Sequence, residues 1–220
     1  MGNATTSSDP SLPPLEKPNV PTPPAEENAR VQSTIKTLNL IPHIEGGYFQ
    51  LSDSSPRSIP SPYAATPLSE DSLKYAGAKP AGDTRLMNTS IFYYLTPNSP
   101  KGSFHRNRSR IIHTLHRGRG RYVVIHEDKS IETFVVGNDI EKGERLQWVV
   151  EGGSWKASFL LDDGADEGNF GLLITETVVP GFDYSDHEFM SQELFEETVD
   201  NEEDKKQLRW LIKQDYSSST

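Results

Sequence analysis

The sequence predicts an all-β domain with flanking helices, built as a sandwich or barrel of short strands. Between residues 87 and 179, short segments rich in β-branched and aromatic side chains follow one another, each bounded by Gly, Pro, Asn or Asp. Between these segments there are no stretches with apolar residues at helical spacing, so alternating βαβ units are not predicted. The predicted strands are 89–96, 111–115, 121–126, 131–136, 146–150, 156–161 and 171–178.

The N-terminal part of the chain divides into a tail and a helix. Residues 1–27 hold many prolines among Ser, Thr and Asn, a composition that predicts a disordered tail. Val31, Ile35 and Leu38 then recur at helical spacing, and Pro42 ends the pattern. We therefore expect a short amphipathic helix before the first strand.

A second Pro/Ser-rich stretch, at about 53–83, predicts a flexible insert within the domain. Helical texture returns after Ser191, where Leu208, Leu211 and Ile212 share one face. Helices at this end are expected to cover the sheet. We predict a single domain over 28–214, followed by a short tail at 215–220.

Composition excludes several classes of function. The 220 residues carry a net charge of −10, which argues against nucleic acid as a partner. The chain has no cysteine, so disulfides and thiolate metal sites are excluded and a cytoplasmic location is expected. No apolar run is long enough to span a bilayer. Gly2 fits a short myristoylation pattern, but Asp9 and Glu16 follow where a polybasic signal is expected, which favours a free tail.

Three segments carry a resemblance to a known family. They are 41–49 (IPHIEGGYF), 103–106 (SFHR) and 179–188 (VPGFDYSDHE). In order and spacing they resemble the DUF985 branch of the cupin superfamily. The resemblance implies a double-stranded β-helix, or jelly-roll barrel, that forms a homodimer and has a pocket in the barrel mouth.

Cupins generally hold a metal ion with two histidines at period-two spacing, a glutamate and a last histidine. Placed on that pattern, the four positions hold Ser103, His105, Ile111 and Lys156. One imidazole beside a hydroxyl and an ammonium group is a poor ligand set for a divalent metal. The resemblance therefore implies a degenerate metal site and no cofactor; a weak site would use His105 and His113, with Glu45 as a possible third ligand.

The same mapping selects the candidate site residues. His105 and His113 are candidate proton carriers, and Lys156 is a candidate charge for an anionic or carbonyl substrate. Each of these also fits a purely structural role, as a hydrogen-bonded strand histidine or a lysine that extends to solvent. Further candidate ligand-binding residues are Glu45, Tyr48, Tyr94, Ser103, Arg106 and Asp183.

Three functions follow as hypotheses. The first is a metal-independent isomerase, epimerase or lyase that acts on a small anionic or carbonyl metabolite. The second is a non-catalytic binding or storage-like cupin, whose pocket would be filled by Ile111, Leu115 and Trp155. The third is a metal-dependent cupin oxidoreductase.

Overall fold

The computed structural model describes residues 12–18, 26–63, 82–162 and 170–214. Three α-helices lie in these residues: Ala29–Thr37 (α1), Gln192–Thr198 (α2) and Glu202–Leu208 (α3). The described strands are Ile41–Pro42 (β1), Tyr48–Ser54 (β2), Ser58–Pro60 (β3), Thr84–Leu86 (β4), Thr89–Leu95 (β5), Lys101–Arg106 (β6), Arg110–Arg117 (β7), Gly120–Ile125 (β8), Ile131–Val136 (β9), Gln147–Val150 (β10), Trp155–Leu160 (β11), Leu172–Val179 (β12) and Glu188–Phe189 (β13). Short 3₁₀ turns occupy Ile140–Lys142, Tyr184–Asp186 and Arg209–Leu211.

The strands form two antiparallel sheets, as predicted for an all-β domain, in a jelly-roll arrangement. One sheet has the order β1-β2-β5-β12-β7-β10, and the other has the order β13-β6-β11-β8-β9. The short strands β3 and β4 pair separately. Strands far apart in the chain are neighbours in both sheets, so the barrel interior collects side chains from many segments.

Alternation along the strands separates an inner face from an outer face. In β11, Trp155 and Phe159 point outward into a core under α2 and α3, whereas Leu160 points inward between the sheets. The core between the sheets holds Tyr93, Leu95, Tyr122, Val124, Phe134, Val136, Trp148, Val150, Leu160, Leu172 and Ile174. A third cluster lies under α1 on the outer face of the six-stranded sheet.

Each helix begins at a side-chain cap. Asn28 accepts hydrogen bonds from the backbone of α1, and Ser191 and Asn201 do the same for α2 and α3. No helix in the described ranges is long and apolar enough to cross a membrane.

Parts of the predicted tail and insert belong to the fold. Within the predicted tail, Leu15 is buried in the core under α2 and α3, and the indole N–H of Trp210 donates to its carbonyl at 3.2 Å. Within the predicted insert, β2 continues to Ser54 and β3 pairs with β4. Gly2 and the stretches 64–81 and 215–220 lie outside the described residues.

Four strands of the two sheets were not among those predicted: β1, β2, β6 and β13. Strand β6 has one large apolar side chain, Phe104, which points outward. Its inward-facing side chain is His105, which is polar and buried, and its register against β11 shifts between Gly102 and His105. A strand whose inward face is polar lacks the apolar alternation by which strands are recognised, and that polar face belongs to the candidate site.

Candidate functional site

Charged and hydroxyl-bearing side chains meet inside the barrel. They come from both sheets and converge on one region between the sheets. Within the part of the chain that the structure describes, they stand too close together to leave room for a water molecule. The lining residues are Glu45, Tyr93, His105, Tyr122, Lys156, Ala157, Ser158 and Glu176.

On one side of this cavity lies a buried ion pair. Lys156 Nζ is 2.5 Å from Glu176 Oε2, and it donates at 3.0 Å to Nε2 of His113. The side chains of Lys156 and Glu176 are 4% and 9% exposed. The imidazole of His113 stacks on Trp148 with ring centroids 5.1 Å apart. Strands β7, β11 and β12 thus hold a lysine, a carboxylate and an imidazole in one contact group.

On the other side lie a carboxylate and two histidines. Glu45 Oε1 is 2.9 Å from His187 Nε2 and 3.3 Å from His105 Nε2. The rings of His105 and His187 stack nearly parallel, with centroids 5.4 Å apart. One nitrogen or oxygen of each of the three side chains lies within 4.8 Å of the others, so this group is the one among the described residues with the ligand types and spacing of a metal site.

A turn between β1 and β2 carries Glu45 into the barrel. Gly46 and Gly47 have φ of +110° and +69°, and a Cβ on Gly46 would lie 1.9 Å from the carbonyl oxygen of Lys101. Only glycine permits this close approach of the turn to β6. The phenol of Tyr93 donates to the Gly46 carbonyl at 2.9 Å, and the backbone N–H of Ser103 donates to the Glu45 carbonyl at 2.8 Å. The turn is therefore fixed against both sheets.

Burial and charge set the protonation states in the cavity. Burial lowers the pKa of His105 to about 3, and burial together with the Lys156 charge lowers the pKa of His113. Both imidazoles are therefore neutral at pH 7. Burial by itself raises the pKa of a carboxyl group, but Lys156 and His113 outweigh it at Glu176, whose pKa lies far below its usual range.

Two further groups in the cavity keep fixed protonation states at neutral pH. At Glu45, burial is outweighed by the imidazoles of His105 and His43 and by the hydrogen bond from His187, which hold the pKa of the carboxyl well below its usual range. Burial raises the pKa of the Tyr122 phenol well above its ordinary value, and the charge of Glu176 adds to the effect. Glu45 is therefore ionised and Tyr122 keeps its proton.

The structure brings together some of the predicted site residues and separates others. His105, Lys156 and Glu45 line the cavity, and His113 contacts Lys156 directly. Ser103 contributes its backbone, since its carbonyl lies 2.8 Å from His105 Nδ1.

The remaining predicted ligand-binding residues lie elsewhere. Arg106 pairs with Glu188 at 2.7 Å near the surface, and Asp183 pairs with Arg85 at 3.0 Å. Tyr48 and Tyr94 pack under α1 on the outer face of the six-stranded sheet. None of these four side chains lines the cavity.

Sequence reasoning missed several lining residues. Tyr93, adjacent to the predicted Tyr94, is the one that points inward, because neighbouring strand residues face opposite sides. Glu176 is an acidic residue in the middle of the apolar strand β12, which is a usable signal for a buried functional group. His187 lies in the third resembling segment but follows a 3₁₀ turn, where no strand alternation indicates its direction.

The jelly-roll topology and the charged barrel interior define a barrel of the cupin class. The chain belongs to the Cupin superfamily (DUF985), whose family model matches residues 32–190. It is 41% identical over 191 residues to the uncharacterized protein YML079W of Saccharomyces cerevisiae, with 87% of this chain and 89% of the yeast protein covered. The resemblance seen in the three segments is confirmed.

Solved structures agree with the family. A hypothetical protein from Leishmania major matches with a TM-score of 0.66 and 28% identity, covering 83% of this chain and 98% of that one. Protein SO0799 from Shewanella oneidensis matches with a TM-score of 0.56 and 25% identity, covering 76% of this chain and 87% of that one. The fold is therefore a cupin jelly roll.

Proposed function

We propose that this chain binds a small anionic or carbonyl-bearing metabolite inside the barrel and catalyses a proton transfer, as an isomerase, epimerase or lyase that needs no metal ion for this step. The observation that carries the proposal is the buried pair of Lys156 and Glu176 at 2.5 Å. A buried ion pair stabilises a fold little or not at all compared with well-packed apolar residues. Substrate chemistry accounts for its presence in the barrel better than stability does.

Lys156 supplies the positive charge for the substrate. An ammonium group held in a water-poor cavity stabilises a carboxylate or a developing enolate oxygen more strongly than it would in water. The cavity is full as it stands, so a ligand enters by displacing contacts between its walls. The contact that an anionic oxygen replaces is that between Lys156 and Glu176.

Once Lys156 turns to the substrate, Glu176 loses the charge that depresses its pKa. Its pKa then rises toward the range of a useful base, and its carboxylate takes a proton from the carbon next to the carbonyl. The electron pair of the broken C–H bond moves into the enolate, whose oxygen Lys156 holds. Tyr122, which keeps its proton at neutral pH, returns a proton to the opposite face for epimerisation or to a leaving group for elimination, and the proton that Glu176 took then passes to the phenolate, which restores both groups.

The neutral imidazole of His113 completes this side of the cavity. Its Nε2 accepts a hydrogen bond from Lys156 and lies 3.6 Å from Glu176 Oε2. It therefore holds the ammonium group in place during the exchange of partners without adding a second positive charge. His113 acts as a positioning residue for Lys156.

Deuterium exchange tests the proposal without knowledge of the full reaction. Chelator-treated protein in D₂O at pD 7.5 would be incubated with pyruvate, 2-oxobutyrate and dihydroxyacetone, and loss of the C–H signal next to the carbonyl followed by proton NMR. We expect catalysed exchange with at least one probe, reduced by about 10²-fold or more in Lys156→Met and Glu176→Gln.

Lys142→Met is the matched control, because Lys142 is 79% exposed and remote from the barrel interior. This variant should exchange at the wild-type rate. No exchange above the buffer rate with any of the probes, or equal exchange in Lys156→Met, would refute the assignment of Lys156 and Glu176.

The non-catalytic alternative draws support from the close packing of the cavity walls, which leave no room for a water molecule among the described residues. The hypothesis of a non-catalytic binding protein predicted that the side chains of Ile111, Leu115 and Trp155 fill the pocket. None of these three residues lines the cavity, and Trp155 points to the outer core. A binding protein would give a thermal shift with the same probes but no exchange of protons. The exchange assay therefore separates the two functions.

The homodimer and the cytoplasmic location stay predictions. Large apolar side chains stand exposed on the six-stranded sheet, among them Leu51 and Val149, and a dimer that covers them is expected. Light scattering on the purified chain measures the oligomeric state.

A further inference from the structure

We propose that Glu45, His105 and His187 bind a divalent first-row transition-metal ion, at a site distinct from the ligand positions expected from the sequence. The three residues come from the turn before β2, from β6 and from the segment just before β13. They are all buried. Donors brought together from three separate segments form a site that is specified by the tertiary fold.

The spacing of the donor atoms matches coordination of one ion. Ligands about 2.1 Å from a common metal lie about 3.0–3.5 Å apart when adjacent and about 4.2 Å apart when opposite. Glu45 Oε1 lies 2.9 Å from His187 Nε2 and 3.3 Å from His105 Nε2. All three donor atoms lie within 4.8 Å of one another. Small side-chain movements therefore suffice to place an ion among them.

The tautomer of His105 directs a lone pair at this point. Its Nδ1 lies 2.8 Å from the Ser103 carbonyl, which accepts a hydrogen bond only if Nδ1 carries the proton. Nε2 then carries the lone pair, and within the described residues it forms no hydrogen bond although it is buried. An Nδ1–H held by a backbone carbonyl is the usual support of a metal-binding histidine.

The lone pair of His105 and the carboxylate of Glu45 face each other at 3.3 Å. Two buried electron-rich atoms at this separation repel unless a cation lies between them. His187 now donates its Nε2 hydrogen to Glu45 at 2.9 Å. A metal ion takes the place of that proton, which is released or moves to the other ring nitrogen, as in metal binding generally.

The charge of the cavity favours a cation. The cavity lining holds two carboxyl groups, Glu45 and Glu176, and one ammonium group, Lys156, which pairs with Glu176 and leaves Glu45 to the two histidines. The ammonium group is 2.5 Å from Glu176, and this contact reduces the repulsion that the sequence led us to expect between Lys156 and a metal. Two imidazoles and a carboxylate suit Fe²⁺, Mn²⁺, Co²⁺ or Zn²⁺.

This set replaces the weak pair of His105 and His113 that the sequence suggested. His113 Nε2 is occupied by Lys156 at 3.0 Å, so it is not available to an ion held by His105. A bound ion would act as a Lewis acid toward a substrate oxygen. The inference stands independently of the proposed proton transfer, which uses the other side of the cavity.

Cobalt titration tests the site without reference to activity. The full-length chain, free of a polyhistidine tag and stripped with chelator, would be titrated with Co²⁺ at pH 7.5 by calorimetry and by visible absorption. We expect one Co²⁺ per chain with a visible ligand-field spectrum. His187→Gln and Glu45→Gln should weaken binding by about 100-fold or more, beyond the 10–100-fold typical of an outer-shell change.

His113→Gln is the matched control, because it removes the other buried histidine and leaves the three ligands intact. The Co²⁺ affinity of this variant should stay within about threefold of the wild-type affinity. Substitution of a metal-binding residue is expected to cause a much larger loss. Urea unfolding identifies any variant that has lost its fold. If His187→Gln is unfolded, His187→Asn takes its place in the titration. Absence of stoichiometric Co²⁺ binding by folded wild-type protein, or an equal loss in His113→Gln, would overturn the site.

Discussion

The buried pair of Lys156 and Glu176 gives the sharpest test of the electrostatics in the barrel. Lys156→Met keeps the length of the side chain and removes its charge, which leaves Glu176 buried beside a neutral histidine. Removal of one partner of a buried pair costs about 3–5 kcal/mol, and both side chains here are at least nine-tenths buried. For a domain of this size, that loss corresponds to a fall of ~6–20 °C in Tm.

The double variant Lys156→Met/Glu176→Gln removes both charges together. Because no uncompensated charge then remains, we expect its free energy of unfolding to lie within about 1–2 kcal/mol of the wild type. Urea unfolding of the wild type, both single variants and the double variant at pH 7.5 gives the coupling energy. Single changes that each cost less than about 1 kcal/mol, and that add in the double variant, would show that the pair is not a desolvated contact.

The pH dependence of Lys156→Met provides a second signature. Without the ammonium group, Glu176 or His113 takes up a proton in the folded chain at a pH where the unfolded carboxyl group is ionised. Between about pH 4.5 and 6.5 the unfolded chain also carries one proton on this pair, at His113, and it loses that proton above about pH 6.5. The folded state then binds more protons than the unfolded state, so stability falls as the pH rises above about 6.5, by up to ~1.4 kcal/mol per pH unit. In the wild type these groups act in the opposite direction, because the pKa values of Glu176 and His113 are lowered.

Two further predictions concern a buried histidine and a pair of glycines. Below pH ~6.5 the unfolded chain binds a proton at His113 that the folded chain does not. His113→Gln should therefore reduce the acid-induced loss of stability by up to ~1.4 kcal/mol per pH unit, and an unchanged pH profile would contradict the buried neutral state. Gly118→Ala and Gly143→Ala both place alanine at a positive φ, +84° and +83°, at a cost of about 1–2 kcal/mol. Only at Gly118 does the new Cβ meet backbone, the Gly171 carbonyl oxygen at 2.1 Å, so its urea midpoint should fall further; equal midpoints would contradict the close approach.

Much of the sheet was predictable because its strands are encoded locally. The predicted strand 131–136 agrees with β9, and those at 89–96 and 171–178 differ from β5 and β12 by about one residue at an end. In these strands the β-branched and aromatic content is high and the boundaries fall at turn residues. Strand β6 escaped prediction because its inward face is polar.

The candidate site was predictable only in part, because it is assembled by distant contacts. The segment around Glu45 and the histidine at 105 were identified from the sequence, but the contact between Glu45 and His187 joins residues 142 positions apart. No local pattern indicates that contact. The sequence selected Tyr94, whereas its neighbour Tyr93 faces the cavity, because a shift of one residue along a strand changes the face of the sheet.

The proposed metal site requires a neutral imidazole at His105 that presents its Nε2 lone pair to Glu45 inside the barrel. Proton–nitrogen correlation NMR of the histidine rings, on ¹⁵N-labelled protein stripped of metal at pH 7.5, measures this state directly. We expect His105 to be neutral, with its proton on Nδ1 toward the Ser103 carbonyl and none on Nε2. A doubly protonated ring, or a neutral ring with its proton on Nε2, would contradict it.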